Sequence, residues 1–158
     1  MSRDPEPLNI HASAVAVEDR AALILGRSGA GKSRLALRMI ALGADLVADD
    51  RVDLIRDGDR LTAAAPEALR GLAEARGVGL LRLPSREAAE VCLAVDLDAQ
   101  PVTRMPPSDT ITYLGVPLDL ISAHGVPDID VILTLLLRHG RAEPGRPGQE
   151  GQTEAGAL

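Results

Sequence analysis

Apolar and small residues recur along this chain at two periods, and the shorter, strand-like period predominates. Alternation from Ile10 to Val17 and the apolar run from Ala21 to Leu25 predict two strands joined by a turn at residues 18–20. Residues Ser33 to Leu42 instead carry apolar side chains at helical spacing, and Gly43 follows where a C-terminal helix cap is expected. The first part of the chain is therefore predicted to form two strands and one helix.

Strand patterns dominate after residue 44. Two of these strands flank Asp57-Gly58, a dipeptide typical of tight hairpins, and helices are predicted from Pro66 to Ala75 and from Asp128 to His139. Because crossover helices are few, we expect an α/β fold with a mixed sheet and few helices, and not a regular doubly wound sheet. The predicted strands are Leu46–Ala48, Val52–Ile55, Leu61–Ala64, Leu80–Leu83, Val91–Leu97, Ile111–Leu114 and Leu118–Ile121.

Both ends of the chain have compositions that disfavour packing. Residues 1–8 are polar and rich in proline, and the segment from residue 140 onward has no large apolar residue before Leu158. Such segments bury too little surface to offset the entropy lost on ordering. We therefore predict disordered ends at residues 1–8 and 140–158, and one domain over residues 9–139.

The composition excludes several classes of function. A net charge of −6 and one aromatic residue, Tyr113, are a poor basis for binding single-stranded nucleic acid, which requires a basic groove and stacking rings. One cysteine, Cys92, permits neither an internal disulfide nor a cysteine-based zinc site. No apolar run approaches the roughly 20 residues that span a bilayer, and the N-terminal residues do not resemble a signal peptide, so a cytoplasmic location is predicted.

The strongest chemical signal is a glycine-rich segment between the second predicted strand and the first helix. Its sequence GRSGAGKS matches the P-loop pattern G-x-x-x-x-G-K-[ST]. The glycines let backbone N–H groups turn towards phosphate oxygens, the lysine can bridge the β and γ phosphates, and the serine hydroxyl can take one Mg²⁺ position. The predicted nucleotide site consists of Gly26, Arg27, Ser28, Gly29, Ala30, Gly31, Lys32 and Ser33.

Lys32 is the one lysine among the 17 basic residues, and the others are all arginine. A planar guanidinium is too bulky to replace a compact ammonium in a tight phosphate loop. A lysine at this position is therefore what phosphate binding requires. With only one aromatic side chain in the sequence, we expect the nucleotide to be held mainly by its phosphates and its base to be weakly discriminated.

Asp49 and Asp50 directly follow the strand pattern Leu46–Ala48. A carboxylate at a strand end near a P-loop can hold Mg²⁺ or act as a base, and two neighbouring side chains can point to different partners. Two adjacent aspartates without a P-loop would more simply be a solvated turn.

Four segments together resemble the catalytic domain of the bifunctional HPr kinase/phosphorylase, in the short form that lacks an N-terminal domain. They are His11 with Val15-Ala16-Val17, the loop GRSGAGKS, the segment Leu46-Val47-Ala48-Asp49-Asp50, and Glu74-Ala75-Arg76-Gly77-Val78-Gly79. The resemblance runs from Asn9 to Ile121. Many nucleotide enzymes share the loop, whereas the last two segments are more specific.

The resemblance implies a fold and an activity. The fold is a P-loop α/β core related to phosphoenolpyruvate carboxykinase and assembled as a hexamer. The activity is phosphorylation of a serine on HPr, or on a nitrogen-branch HPr paralogue, with ATP or pyrophosphate as donor and Mg²⁺ as cofactor. The reverse reaction removes that phosphate with inorganic phosphate and yields pyrophosphate.

The resemblance also implies residue roles. Asp50, with Asp49 beside it, corresponds to the base that takes the serine proton, and the sequence leaves open which aspartate is the base and which faces the metal. Glu74 corresponds to a second Mg²⁺ contact besides Ser33. His11 is expected to tune the acidic pair or the incoming phosphate.

Two further matches concern arginines and glycines. Arg76, Gly77 and Gly79 resemble the loop that closes on the transferred group, and Arg104 is a candidate phosphate-binding arginine. One departure is residues 122–128, which lack the arginine that the family carries before its closing helix. Since that segment is linked to dephosphorylation, the kinase direction is the firmer expectation.

Two other functions stay open from the residues. The chain can be a P-loop kinase or NTPase of another family, which acts on a small molecule or hydrolyses nucleotide. It can also be a regulatory module that binds nucleotide without transferring phosphate. Phosphate labelling of an HPr-type protein, of a metabolite or of neither distinguishes the three functions.

Overall fold

In the computed structural model, which describes residues 6–142, a mixed sheet of nine strands has two α-helices on one of its faces. A separate two-stranded sheet precedes the longest strand. In chain order the elements are β1 Leu8–His11, β2 Ser13–Val17, β3 Arg20–Leu25, α1 Lys32–Ala41, β4 Asp45–Ala48, β5 Arg51–Asp57, β6 Arg60–Ala64, a 3₁₀ turn Glu67–Leu69, β7 Leu72–Ala75, β8 Gly79–Arg82, β9 Ala88–Asp96, β10 Thr110–Tyr113, β11 Val116–Ser122 and α2 Ile129–His139.

The large sheet has the strand order β1-β5-β6-β9-β3-β2-β4, and β11 pairs with β9 and with β10. The pairs β3–β9 and β9–β11 are parallel, whereas β2 runs antiparallel to both β3 and β4. This arrangement confirms the expected mixed sheet with few helices. It also brings the ends of β3 and β4 to either side of β2, so the P-loop and the aspartate pair come together.

Aliphatic side chains alone form the core on both faces of the sheet. On the helical face, Leu35 and Met39 of α1 and Leu133 and Leu137 of α2 pack against the central strands. On the opposite face, small residues of β2 and β3 pack with leucines and valines of β5, β6 and β11. All five residues of β2 are buried, because this strand is covered on both faces.

Two predicted elements are wrong. The helix expected from Pro66 to Ala75 is a 3₁₀ turn followed by β7, because Gly71 adopts a left-handed conformation (φ 72°) and β7 takes its backbone hydrogen bonds from β8. The strand expected from Ile10 to Val17 is two strands that separate at Ala12. β1 pairs with β5 and β2 pairs with β3 and β4, so the two halves serve different neighbours.

The predicted disordered ends are only partly within the described residues. Leu8 is already in β1, so ordered structure begins within the predicted N-terminal segment 1–8. Residues 1–5 and 143–158 lie outside the described part. Within residues 6–142, neither helix has the length and apolarity needed to cross a membrane.

One ion pair ties the two helices together. The Arg38 Nε on α1 donates a hydrogen bond to Oδ2 of Asp130 in the first turn of α2, at 3.0 Å. Burial alone would raise the pKa of Asp130, but the backbone N–H of Val131 and the Arg38 guanidinium outweigh it and hold the pKa below its usual range. The charged form of this carboxyl therefore contributes to stability.

We expect Asp130→Asn to lower the free energy of unfolding by about 1.5 to 3 kcal/mol at neutral pH, the range for a hydrogen bond to a charged group. A carboxyl with a lowered pKa stabilises the fold above its unfolded pKa, and this contribution disappears as the pH falls through the folded pKa. Urea unfolding at neutral pH and at about pH 3 measures the difference. The exposed turn variant Asp59→Asn is the control, and an equal loss at both pH values would contradict the ionic origin.

Candidate phosphate and acid–base site

The P-loop lies between β3 and α1, as the motif predicts. Gly26 follows β3 with φ 152°, and a Cβ on it would lie 2.8 Å from the Cβ of Ala30, closer than side-chain atoms approach. Gly31 is the N-cap of α1 in a left-handed conformation with φ 101°. These two positions require glycine, one for close approach and one for backbone conformation. The loop therefore ends with the N-terminal N–H groups of α1 directed towards its interior, where they suit an anion.

Lys32 begins α1 and is only 7% exposed. Its Nζ donates hydrogen bonds to the carbonyl oxygens of Gly26 at 2.7 Å and Arg27 at 3.0 Å. The ammonium is thus held across the loop by the loop's own backbone. Phosphate oxygens that enter the loop can accept from the third donor of this ammonium.

A carboxylate that the sequence analysis did not single out anchors the start of the loop. The backbone N–H of Arg27 donates to Oδ2 of Asp98 at 2.7 Å, and the exposed Arg27 side chain has its Nε 3.7 Å from Oδ1 of Asp98. Asp98 is itself fixed because its N–H donates to Asp96. The sequence did contain a usable signal, because Asp96 ends β9 and Asp98 lies two residues beyond it. Acidic residues just after a strand that runs parallel to the P-loop strand lie beside the loop.

Asp49 accepts hydrogen bonds from three separate segments. Its Oδ1 accepts from the Ser33 hydroxyl at 2.7 Å and from the Ser13 hydroxyl at 2.8 Å. Its Oδ2 accepts from the backbone N–H of Glu74 at 3.0 Å. The residue is 6% exposed. Asp49 thus connects β4 to the P-loop helix, to β2 and to the β7–β8 hairpin.

Asp50 points elsewhere. Its backbone has φ 69°, a left-handed conformation that is rare outside glycine, and its side chain is 68% exposed. Oδ1 of Asp50 accepts a hydrogen bond from Nε2 of His11 at 2.9 Å. The two adjacent carboxylates therefore have different partners and different exposure: Asp49 faces the P-loop serine and Asp50 faces His11 and solvent.

The β7–β8 hairpin carries the other matched segment. Glu74 lies on β7, where its backbone binds Asp49 while its side chain is exposed. Arg76 and Gly77 form the exposed turn, and Gly79 begins β8. The hairpin thus lies beside the aspartate pair, with a charged and exposed tip. Arg104 is exposed in the connection between β9 and β10, and among residues 6–142 it takes no part in the hydrogen bonds that form the site.

The oxygen donors of the site fit Mg²⁺ bound together with nucleotide. Within the described residues, no three histidine, cysteine, aspartate or glutamate side chains form a metal-binding group. P-loop sites, however, hold Mg²⁺ through a hydroxyl, one carboxylate, water and the phosphates themselves. Ser33 and Asp49, 2.7 Å apart, supply the hydroxyl and the carboxylate.

Residues 5–88, just over half of the chain, match the family model described as HPr Serine kinase C-terminal domain. The chain belongs to this family.

Individual relatives agree with the family. An HPr kinase/phosphorylase of Burkholderia lata is 35% identical over 135 residues, which cover 77% of this chain and 42% of the relative. An HPr kinase/phosphorylase of Caldanaerobacter subterraneus subsp. tengcongensis is 44% identical over 75 residues, which cover 47% of this chain and 25% of the relative. This member of the HPr serine kinase family therefore spans less than half the length of these relatives.

The fold is also that of a solved structure. The Hpr(Ser) kinase/phosphatase from Coxiella burnetii superposes with a TM-score of 0.71 and 24% sequence identity, covering 83% of this chain and 94% of that chain. At this identity the likeness establishes a common fold. The predicted fold and the predicted family are both confirmed.

Lys32 gives the site its first test. We expect Lys32→Ala to raise the dissociation constant for ATP with Mg²⁺ by about tenfold or more, because the loop loses its ammonium and leaves two carbonyls without a donor. Lys32→Arg should lose most of the binding too, since the guanidinium does not fit the space across the loop. Isothermal titration calorimetry measures both, with Arg60→Ala on β6 as a charge-matched control. Near-normal binding by Lys32→Arg would contradict the argument from ammonium shape.

Proposed function

We propose that this chain is an ATP-dependent protein kinase that phosphorylates a serine of an HPr-type phosphocarrier protein. One observation carries the proposal: beside an intact P-loop, two adjacent carboxylates divide between the P-loop serine and a histidine. A nucleotide hydrolase needs the first carboxylate, whereas an exposed second carboxylate, paired with a histidine, suits a base that meets a large external acceptor. The family membership makes HPr, or its nitrogen-branch paralogue, the expected acceptor.

The phosphate half of the site positions the donor. Backbone N–H groups of the loop and the N-terminus of α1 bind the phosphate oxygens, and the Lys32 ammonium adds a positive charge as negative charge spreads over the transferred group. Ser33 and Asp49 would hold Mg²⁺, which when bound neutralises charge on the β and γ phosphates. Pyrophosphate offers the same phosphate oxygens, so it can serve as a second phosphoryl donor.

The acid–base half of the site acts on the acceptor. The serine oxygen forms a bond to the γ phosphorus, the bond from phosphorus to the β–γ bridging oxygen breaks, and its electron pair leaves on ADP. The proton of the serine hydroxyl moves to the carboxylate of Asp50, whose side chain is 68% exposed and therefore accessible to a protein acceptor. His11 orients this carboxylate through its Nε2 contact. Asp49 is assigned to the metal and Asp50 to the proton.

Other parts of the proposal rest on the family resemblance. Arg76 and the glycines of the hairpin tip would close over the transferred group, and Glu74 would add a metal contact. Phosphorolysis by inorganic phosphate is the reverse of the same chemistry, with Asp50 returning the proton. Residues 122–128 carry no arginine to bind that phosphate. We place the reaction in the cytoplasm, where ATP is made and used.

We also propose that the chain works as an oligomer, with a hexamer as the state that the resemblance implies. The apolar side chains of Val131, Ile132 and Leu135 are exposed on the outer face of α2. Leu135 is four residues from Val131 and three from Ile132, spacings that bring side chains together on a helix surface, and such an apolar patch supports a contact between subunits.

Phosphate transfer can be measured directly. Incubation with ATP labelled at the γ phosphate, Mg²⁺ and the HPr-type proteins of the source organism should give acid-stable phosphoserine on one of them. Label on a metabolite, or ATP binding without any transfer, would overturn the proposal in favour of another P-loop enzyme or a binding module. Adding unlabelled phosphate to the labelled product should release pyrophosphate if phosphorolysis is retained.

Asp50→Asn separates the two halves of the site. The amide cannot take the serine proton, so we expect the single-turnover transfer rate to fall by about 100-fold or more. The dissociation constant for ATP should stay within about threefold of wild type, because among residues 6–142 the Asp50 side chain hydrogen-bonds His11 and no residue of the P-loop. Rapid-quench kinetics and calorimetry measure the two quantities, and Asp59→Asn is the matched control in an exposed turn. An equal loss of ATP binding would contradict this division of roles.

A further inference from the structure

A buried hydroxyl outside the recognised motifs touches both aspartates. Ser13 begins β2 and is 0% exposed. Its Oγ donates to Oδ1 of Asp49 at 2.8 Å, and the backbone N–H of Asp50 donates to the same Oγ at 3.4 Å. One side chain therefore bridges the carboxylate of one aspartate and the main chain of the next.

The strand layout explains why this position reaches the pair. β1 ends at His11 and β2 begins at Ser13, and the N–H of the intervening Ala12 donates to the carbonyl of Asp50 at 3.2 Å. β2 runs antiparallel to β4, so the start of β2 lies beside the end of β4, where the aspartates follow. The tripeptide 11–13 thus makes four hydrogen bonds to the pair: one from His11, one from the N–H of Ala12 and two through the Ser13 hydroxyl.

The hydrogen bonds of Ser13 fix the positions of both aspartates, beyond the packing that a small buried side chain supplies. A buried carboxylate requires donors, and the Ser33 donor lies on a residue that also faces the bound nucleotide. Ser13 is buried in the sheet, so its hydrogen bond holds Asp49 in place whether or not the P-loop is occupied. By accepting the N–H of Asp50, it also supports the left-handed backbone that aims the Asp50 side chain at His11.

We propose that Ser13 is a positioning residue for phosphoryl transfer, which aligns the metal-facing Asp49 and, through the main chain, the proton-accepting Asp50. The alignment of Asp50 rests on the proposed kinase function. The alignment of Asp49 towards Ser33 does not, because nucleotide binding alone can measure it.

The first experiment titrates Mg²⁺ at fixed ATP and follows nucleotide binding by calorimetry. In Ser13→Ala, the Asp49 carboxylate loses one hydrogen-bond donor and is no longer held in its orientation towards Ser33. The Mg²⁺ concentration for half-maximal ATP binding should therefore rise by about fivefold or more. Ser13→Thr, which keeps the hydroxyl, should restore a value close to wild type. Thr134→Val is the control, because it removes a buried hydroxyl whose hydrogen bond stays within α2. An unchanged Mg²⁺ requirement in Ser13→Ala would overturn the positioning of Asp49.

The second experiment measures single-turnover transfer at saturating ATP and Mg²⁺. Ser13→Ala should lower the rate constant by about 10- to 100-fold, with the KM for ATP within about threefold of wild type. Because Ser13 holds the main chain of Asp50 and His11 contacts its carboxylate, both position the same residue, and adding Ser13→Ala to His11→Ala should cost less than threefold more. Fully multiplicative losses would overturn the coupling through Asp50.

The outcomes separate the two proposals. A wild-type protein that transfers no phosphate to any HPr-type protein overturns the kinase function, and the Mg²⁺ titration then decides the role of Ser13 towards Asp49. Thermal unfolding of every variant identifies loss of fold. If Ser13→Ala unfolds, Ser13→Cys is used instead, since it keeps the approximate volume and has a much weaker donor. Wild-type Mg²⁺ dependence in that variant would equally overturn the proposal.

Discussion

The buried carboxylate of Asp49 organises this site, because its charge is tolerated only where hydrogen-bond donors surround it. The donors come from β2, from the first turn of α1 and from β7, three segments far apart in the sequence. Satisfying one side chain therefore brings the P-loop helix, the central strand of the sheet and the β7–β8 hairpin to one point. The phosphate site and the hairpin tip are neighbours as a consequence.

The backbone conformation of Asp50 gives its carboxylate a different environment from that of the adjacent Asp49. A left-handed φ on a residue other than glycine costs roughly 1 kcal/mol or more, and it persists where surrounding contacts impose it. Here those contacts include the Arg51 N–H on the Asp49 carbonyl at 2.8 Å, which spans Asp50, and the hydrogen bonds of the Asp50 carbonyl and N–H to Ala12 and Ser13. The unusual conformation separates two carboxylates that are next to each other in the chain. One is then buried with the P-loop serine, while the other is exposed beside His11.

The sequence predicted the parts of the molecule whose physics is local. The P-loop and its helix depend on residues within a few positions of one another and lie where expected. The hairpin expected at residues 57–58 is also present, with its turn one residue later at Gly58-Asp59. The helix predicted over residues 66–75 was wrong, although the composition of this segment suits a helix. Residues Leu72–Ala75 form their backbone hydrogen bonds with β8, which lies outside the segment.

The sequence analysis missed Ser13 for a related reason. A serine among small apolar residues has no chemical meaning until β4 brings Asp49 beside it. The different partners of Asp49 and Asp50 likewise depend on one backbone dihedral angle, the positive φ of Asp50, which no motif specifies.

The two halves of the site therefore depend on the fold to different degrees. The phosphate half is carried by consecutive residues 26–33, and its geometry follows from glycines and a helix start. The acid–base half combines residues from β1, β2 and the end of β4, and it exists only while those strands are aligned.

β1 is a four-residue strand at the edge of the large sheet, where it pairs with β5. Edge strands of this length open more readily than central ones. Opening of β1 would separate His11 from Asp50 while β2, β3 and the P-loop stay in place. In the proposed function, nucleotide binding and proton transfer thus depend on parts of the fold with different local stability, and a modest change at the sheet edge would alter transfer without altering binding.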